Sequence, residues 1–163
     1  MDEKLVKEMM EDLKLREERS SMPVPVGISN RHIHLTKEDF KTLFGAECDD
    51  TQLKPVKQPG QYACNELFDL EGPKGTIKGV RMIGPYRKYS QVEVSAADAR
   101  RLGVMPPIRD SGKLENTPGL KLVGPKGTVV LTKGVIMSKR HIHFLTQEAA
   151  KYKVKDGQEV RVL

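Results

Sequence analysis

Tryptophan is missing from this 163-residue chain, aromatic residues are only 5% of it, and cysteine occurs twice, at Cys48 and Cys64. Two cysteines without a CxxC spacing exclude a disulfide framework and a cysteine-based zinc site. Cys64 reads as a small buried residue, and Cys48, between Glu47 and Asp49, lacks the positive field that activates a thiol. No apolar run approaches the ~20 residues that cross a bilayer, and the N-terminus, MDEKLVKEMMEDLK, has no apolar stretch of a secretory signal. Those absences predict a cytosolic protein with no membrane contact. Scarce aromatics, no helix-turn-helix pattern and no Lys/Arg block argue against nucleic acid as a partner.

What is present is basic but uneven. The formal charge is +6, and residues 1–20 carry five basic and seven acidic side chains, so the remainder stands at +8. Such a body favours anions, and small phosphorylated ligands fit better than a polymer. Apolar content of 37% with 31% charged residues is globular.

All four histidines fall in two copies of one tetrapeptide, Arg31-His32-Ile33-His34 and Arg140-His141-Ile142-His143. Alternation with apolar neighbours predicts β-strands, in which residues i and i+2 share a face. Two imidazoles about 6 to 7 Å apart along one strand can close on a single divalent ion, and as borderline ligands they suit zinc, cobalt or nickel. Arg31 and Arg140 flank the pairs and either brace the strands by ion pairs or meet phosphate groups.

Residues 2–19 predict an amphipathic helix, since Leu5, Val6, Met9, Met10 and Leu13 form a stripe between charged faces. A Ser/Pro segment, 20–25, ends it. The helix either packs on its own body or serves as a tethered docking peptide. The rest reads as strand-rich. The pentapeptides Gly72-Pro73-Lys74-Gly75-Thr76 and Gly124-Pro125-Lys126-Gly127-Thr128 are identical and mark repeated hairpins. They lack the Walker spacing of a phosphate loop. A second repeat runs from strand to Ser/Thr-capped helix three times, after His34, Glu93 and His143, with helices ending near Gly45, Gly103 and Val154. It places Glu93 where the histidines stand. On pattern alone Glu93 is a candidate carboxylate ligand or, equally, a surface glutamate on an alternating strand.

These residues resemble the PduL-type phosphate propanoyltransferases, metal-dependent phosphotransacylases of bacterial microcompartments. The resemblance rests on residues 25–35 (PVGISNRHIHL), Gln58-Pro59-Gly60-Gln61, Gly84-Pro85-Tyr86-Arg87-Lys88 leading into Gln91-Val92-Glu93, Arg109-Asp110-Ser111-Gly112, and Lys139-Arg140-His141-Ile142-His143. It implies a mainly β fold: two small β-barrel domains with short capping α-helices, preceded by the N-terminal amphipathic helix. The expected divisions are 1–20 as helix and candidate encapsulation peptide, 21–25 as linker, 26–105 as first barrel and 106–163 as second, with strands exchanged between barrels.

The implied activity is reversible acyl transfer between coenzyme A and phosphate, with propanoyl the usual group, as in propanediol degradation. The implied cofactor is a pair of Zn2+ ions, one on His32, His34 and Glu93, the other on His141 and His143. Arg87 and Gln58 would hold phosphate, Arg87 being catalytic, and Ser29, Lys54 and Arg81 would line the coenzyme A groove. Family members known to resemble this chain continue beyond the Asp156–Val160 turn with a further histidine, so the second ion is expected to be under-coordinated and turnover weak. Self-association, and microcompartment shell or cargo proteins met through residues 1–20, are the expected partners, in a bacterial cytoplasm. Two alternatives remain: a metal-dependent thioester or phosphoester hydrolase, and an inactive cargo or scaffold form.

Overall fold

The computed structural model describes residues 2–29 and 31–162, so Met1, Leu163 and Asn30 of the 25–35 segment lie outside the described residues. The chain divides into two compact units, residues 29–141 with Asn30 set aside, and residues 2–28 together with 142–162.

The larger unit is mainly β, as expected. Its strands are β1 (His32–His34), β2 (Gln52–Pro55), β3 (Tyr62–Glu71), β4 (Thr76–Gly84), β5 (Gln91–Glu93), β6 (Ile108–Arg109), β7 (Leu120–Val123), β8 (Thr128–Leu131) and β9 (Val135–Ser138). They join in one curled sheet of order β6-β9-β5-β1-β4-β3-β7-β8, with β2 on β3. Two helices belong to it, α2 (Lys37–Phe44) and α3 (Ala96–Leu102). The core is built from Ile33, Leu35, Phe40, Leu43, Phe68, Leu70, Met82, Val92, Leu102 and Leu122, all under 3% exposed. Burying each such side chain stabilises the fold by roughly 1.5–3 kcal/mol relative to exposure.

Both strand-to-helix junctions follow from their caps. Thr36 Oγ1 accepts from Asp39 N at 3.1 Å to start α2. Ser95 Oγ accepts from Asp98 N at 3.1 Å, and the Asp98 carboxylate reaches back to Ser95 to complete a capping box. Asp98 Oδ1 also takes Arg31 Nη1 at 3.1 Å, so Arg31 braces β1 against α3 by an ion pair.

The repeated pentapeptides close the two hairpins β3–β4 and β7–β8, with Gly72 N to Gly75 O and Gly124 N to Gly127 O both at 2.9 Å. Each turn also finishes a helix. Lys74 N donates to Leu102 O of α3 at 3.1 Å, and Lys126 N to Leu43 O of α2 at 2.9 Å, which satisfies carbonyls that a helix end leaves open. The hairpin of one sequence repeat thereby caps the helix of the other.

The smaller unit holds α1 (Glu3–Ser20) and α4 (Thr146–Lys151). Asp2 caps α1, its side chain accepting from Lys4 N at 3.0 Å. Arg19 donates to Tyr152 O and Lys153 O at 2.9 and 3.0 Å, and Lys153 Nζ meets Glu18 Oε2 at 2.5 Å. The apolar stripe of α1 is open: Leu5, Met9, Met10 and Leu13 are 51–66% exposed.

Two expectations fail here. The second histidine motif forms no strand, since residues 139–145 carry no regular structure, and the third helix has no hydroxyl cap. Its N-cap is Leu145, whose amide donates to Glu148 Oε2 at 2.8 Å, and Thr146 is its first helical residue. The extra residue of the third repeat moves the hydroxyl one place into the helix.

Candidate metal centre

The short strand β1 lies between two partners, parallel β4 and antiparallel β5, and its register builds the centre. His32 pairs with Arg81 on one side and Glu93 on the other; His34 pairs with Gln91. Directly opposed residues of a ladder share a face. Ile33 and Val92, both fully buried, therefore point into the core, while His32, His34, Glu93 and Gln91 point together to the opposite side.

The two imidazoles stand edge to face with centroids 5.2 Å apart, and His32 Nε2 lies 3.6 Å from Glu93 Oε2. Ligand atoms of His32, His34 and Glu93 all fall within 4.8 Å of one another. Glu93 is 7% exposed, which removes the reading of it as a surface glutamate. His34 Nδ1 lies 2.9 Å from Ile83 O; a carbonyl only accepts, so Nδ1 carries the hydrogen and Nε2 keeps its lone pair. Burial, then the nearby Arg87 charge and His32, push the His34 pKa down to about 3. A metal-ligating histidine needs that neutral state and that second-nitrogen hydrogen bond. Two imidazoles and a carboxylate on one face fit a borderline divalent cation such as zinc.

The other predicted residues take varied places. Arg87 lies half-buried in the β4–β5 loop, its amide donating to Leu35 O at 2.8 Å and its Nη1 to Ser111 Oγ at 3.0 Å. Gln58 is half-buried in the β2–β3 turn, where its carbonyl accepts from Gln61 N at 3.2 Å. Lys54 is exposed on β2, opposite Ala63. Arg81 sits on β4 with Nη1 bound to the carbonyls of Cys64 and Asn65, so part of its guanidinium is committed to the sheet. Ser29 lines a pocket of about 270 Å³ with Glu93, Val94, Ile108, Met137 and Ser138. His141 is exposed beyond β9, its Nδ1 2.6 Å from Lys139 O. It is not among the metal-competent groups of the described residues. His143 is exposed and belongs to the smaller unit.

Sequence reading passed over two residues. Gln91, fully buried, donates Nε2 to Glu93 Oε1 at 2.7 Å and to Ser111 Oγ at 2.9 Å, and its Oε1 accepts from Gly112 N at 2.7 Å. Its position two residues before Glu93 was the available signal, since strand period two puts both on one face. Ser138, with a buried Oγ that has no hydrogen-bond partner, offers a hydroxyl beside the Ser29 pocket and carries no sequence signal at all. Cys64 is fully buried with its thiol pushed up to about 12 by burial and by Asp50, which excludes it as a nucleophile at neutral pH.

Fold and site together define a class: a mainly β protein carrying a two-histidine, one-carboxylate cluster on paired strands, with an arginine beside it. Comparison with known proteins narrows this. The family model for phosphate propanoyltransferase matches residues 25–163. A phosphate propanoyltransferase of Thermotoga maritima is 52% identical over 145 residues, 89% of this chain and 69% of the relative. One from Rhodopseudomonas palustris is 50% identical over 85% of this chain and 62% of its own length. One from Levilactobacillus brevis is 46% identical over 99% of this chain and 76% of its own. The chain belongs to the phosphate propanoyltransferase family, and spans between three fifths and four fifths of the length of these relatives.

Proposed function

We propose that the chain transfers an acyl group between coenzyme A and phosphate: acyl-CoA and phosphate give acyl phosphate and CoA, reversibly. The single observation that carries this reading is the His32, His34 and Glu93 cluster with the Arg87 charge beside it, in a chain whose relatives bear the name of that reaction. Propanoyl is the proposed acyl group, after that name.

The chemistry follows from the groups present. Phosphate is itself the nucleophile, so no serine or cysteine needs acylation, in keeping with an inert Cys64. Arg87 grips phosphate with two parallel N–H bonds and holds one oxygen toward the thioester carbonyl, converting an encounter into an intramolecular step. A C–O bond forms, the carbonyl oxygen takes the negative charge, and collapse breaks the C–S bond to release a thiolate; the proton that hydrogen phosphate gives up passes through water to that thiolate. His32, His34 and Glu93 would hold a divalent ion, which when bound would supply Lewis acidity worth several kcal/mol to such an oxyanion. Gln58 is proposed at the phosphate and Ser29, Lys54 and Arg81 along the coenzyme A groove. His141 and His143 are the proposed ligands of a second ion, on the strength of the repeated motif. The proposed division into residues 26–105 and 106–163 as two strand-exchanging barrels is supported by the β7–β8 turn of the second region capping α2 of the first and by β5 pairing with β9.

Incubating the purified protein with propanoyl-CoA, with and without phosphate, tests the reading. Acyl phosphate and free CoA formed only when phosphate is present are expected; free acid formed without phosphate would instead establish a metallohydrolase.

The helix α1 is proposed as the docking segment toward microcompartment proteins, because its apolar stripe is left open. Association with a second copy of the chain is proposed as well.

A further inference from the structure

Gln91 is a buried polar residue that the acyl-transfer scheme leaves without a task. It is fully buried on the ligand face of β5, directly opposite His34. A primary amide has two hydrogens and one carbonyl to place, and all three are placed: Nε2 on Glu93 Oε1 and Ser111 Oγ, Oε1 on the Gly112 amide. The surroundings also fix which end is which. A carboxylate only accepts and a backbone N–H only donates, so a flipped amide would set oxygen against oxygen and N–H against N–H. Glu93 is thus tied by Oε1 at 2.7 Å, and Oε2 is the oxygen left facing His32 Nε2 at 3.6 Å. Ser111 Oγ carries the chain outward, since it accepts from Arg87 Nη1 at 3.0 Å.

We infer that Gln91 is the positioning residue of the metal centre: it locks Glu93 into a one-oxygen ligand and, through Ser111, ties that ligand to Arg87. The inference rests on reading His32, His34 and Glu93 as a metal site. A partner that orients a ligating carboxylate typically matters by about 10- to 100-fold in metal affinity. With an apolar side chain in its place, the Glu93 carboxylate loses a buried donor and the contact that fixes its orientation.

The full chain, stripped by a chelator, is titrated with Co2+ against a competing indicator, reading affinity and the visible Co2+ absorption; no turnover is needed. Gln91→Leu is expected to weaken Co2+ binding about 10- to 100-fold and to alter the spectrum. In a Glu93→Gln background the same change should add less than a twofold loss, because Gln91 acts through Glu93. Equal affinity for Gln91→Leu and the parent, or full additivity with Glu93→Gln, overturns the inference while leaving the metal site standing. A parent protein that binds no Co2+ overturns both. Should Gln91→Leu fail to fold, Ser111→Ala, in an exposed loop, frees one Gln91 hydrogen: a measurable loss of affinity supports the network, and an unchanged affinity and spectrum sink it.

Discussion

At the residue scale, the division of labour depends on which polar groups are held and which are left to meet a ligand. Arg87 is anchored by its amide on Leu35 and by one guanidinium nitrogen on Ser111, and the planar fork leaves further donors for an anion. Arg87→Lys keeps the charge and loses the fork. One charge-assisted hydrogen bond is worth ~1.5–3 kcal/mol, so the phosphate KM should rise about 10- to 100-fold, with the propanoyl-CoA KM nearly unchanged, in steady-state kinetics with each substrate varied. The two thiols divide as sharply. Cys48 is exposed and Cys64 is fully buried with its pKa raised to about 12. A raised thiol pKa keeps the protonated form, so at pH 8 only about one Cys64 in 10⁴ carries a thiolate. A chromogenic disulfide reagent should react with one thiol rapidly and the second only after denaturation; two fast equivalents would contradict the buried assignment.

At the element scale, the GPKGT turns act as helix ends as much as hairpins, and they demand glycine for space. A Cβ on Gly72 would stand 2.2 Å from Leu102 O and one on Gly124 2.5 Å from Leu43 O, whereas Gly27 has nothing within 4 Å. Backbone carbonyls capped by the same turn cannot retreat without breaking that cap. Gly72→Ala and Gly124→Ala should each cost about 1–3 kcal/mol, and Gly27→Ala should stay within about 0.5 kcal/mol, read as urea midpoints at constant slope. The helix caps at Thr36 and Ser95, both hairpins and the extent of α1 were legible because each rests on local chemistry: a hydroxyl at the right offset, a glycine pair, a stripe. The coil after Ser138 was not, because alternation around His141 and His143 is a strand signal only where a neighbouring strand offers a ladder. The three-residue β1 and β5 are strands for that reason, each clasped on both sides. The candidate site divides the same way: the histidine pairs announce themselves by repetition, and Glu93 by its place in the strand-to-helix repeat. Gln91 and Ser111 matter through contacts 2 and 20 residues apart, and only the second needs the fold to be seen.

At the scale of the whole molecule, pairing order is what no local signal contains: β1 joins β4 and β5, and β5 joins β9, 40 or more residues onward. Yet the distribution of buried apolar groups makes a definite statement about the N-terminal helix. Every buried core residue lies between Ile33 and Ile136, and α1 contributes none among the described residues. Its ties to the residues just after α4 include Arg19 on two carbonyls, one of these bonds part-buried, and the Glu18–Lys153 pair, an exposed ion pair of the kind that typically adds ~0–1 kcal/mol. Helix propensity alone barely holds 18 residues together in water, so α1 forms and frays largely on its own account. Removing residues 1–20 should therefore lower the midpoint of the main thermal transition by no more than about 2–4 °C, the shift that 1 kcal/mol produces in a chain of this size. Co2+ affinity should be unaltered and association with a microcompartment protein lost. A collapse of the main transition on deletion would mean that the stripe of Leu5, Met9, Met10 and Leu13 packs on the protein's own body, and the docking proposal would fall with it.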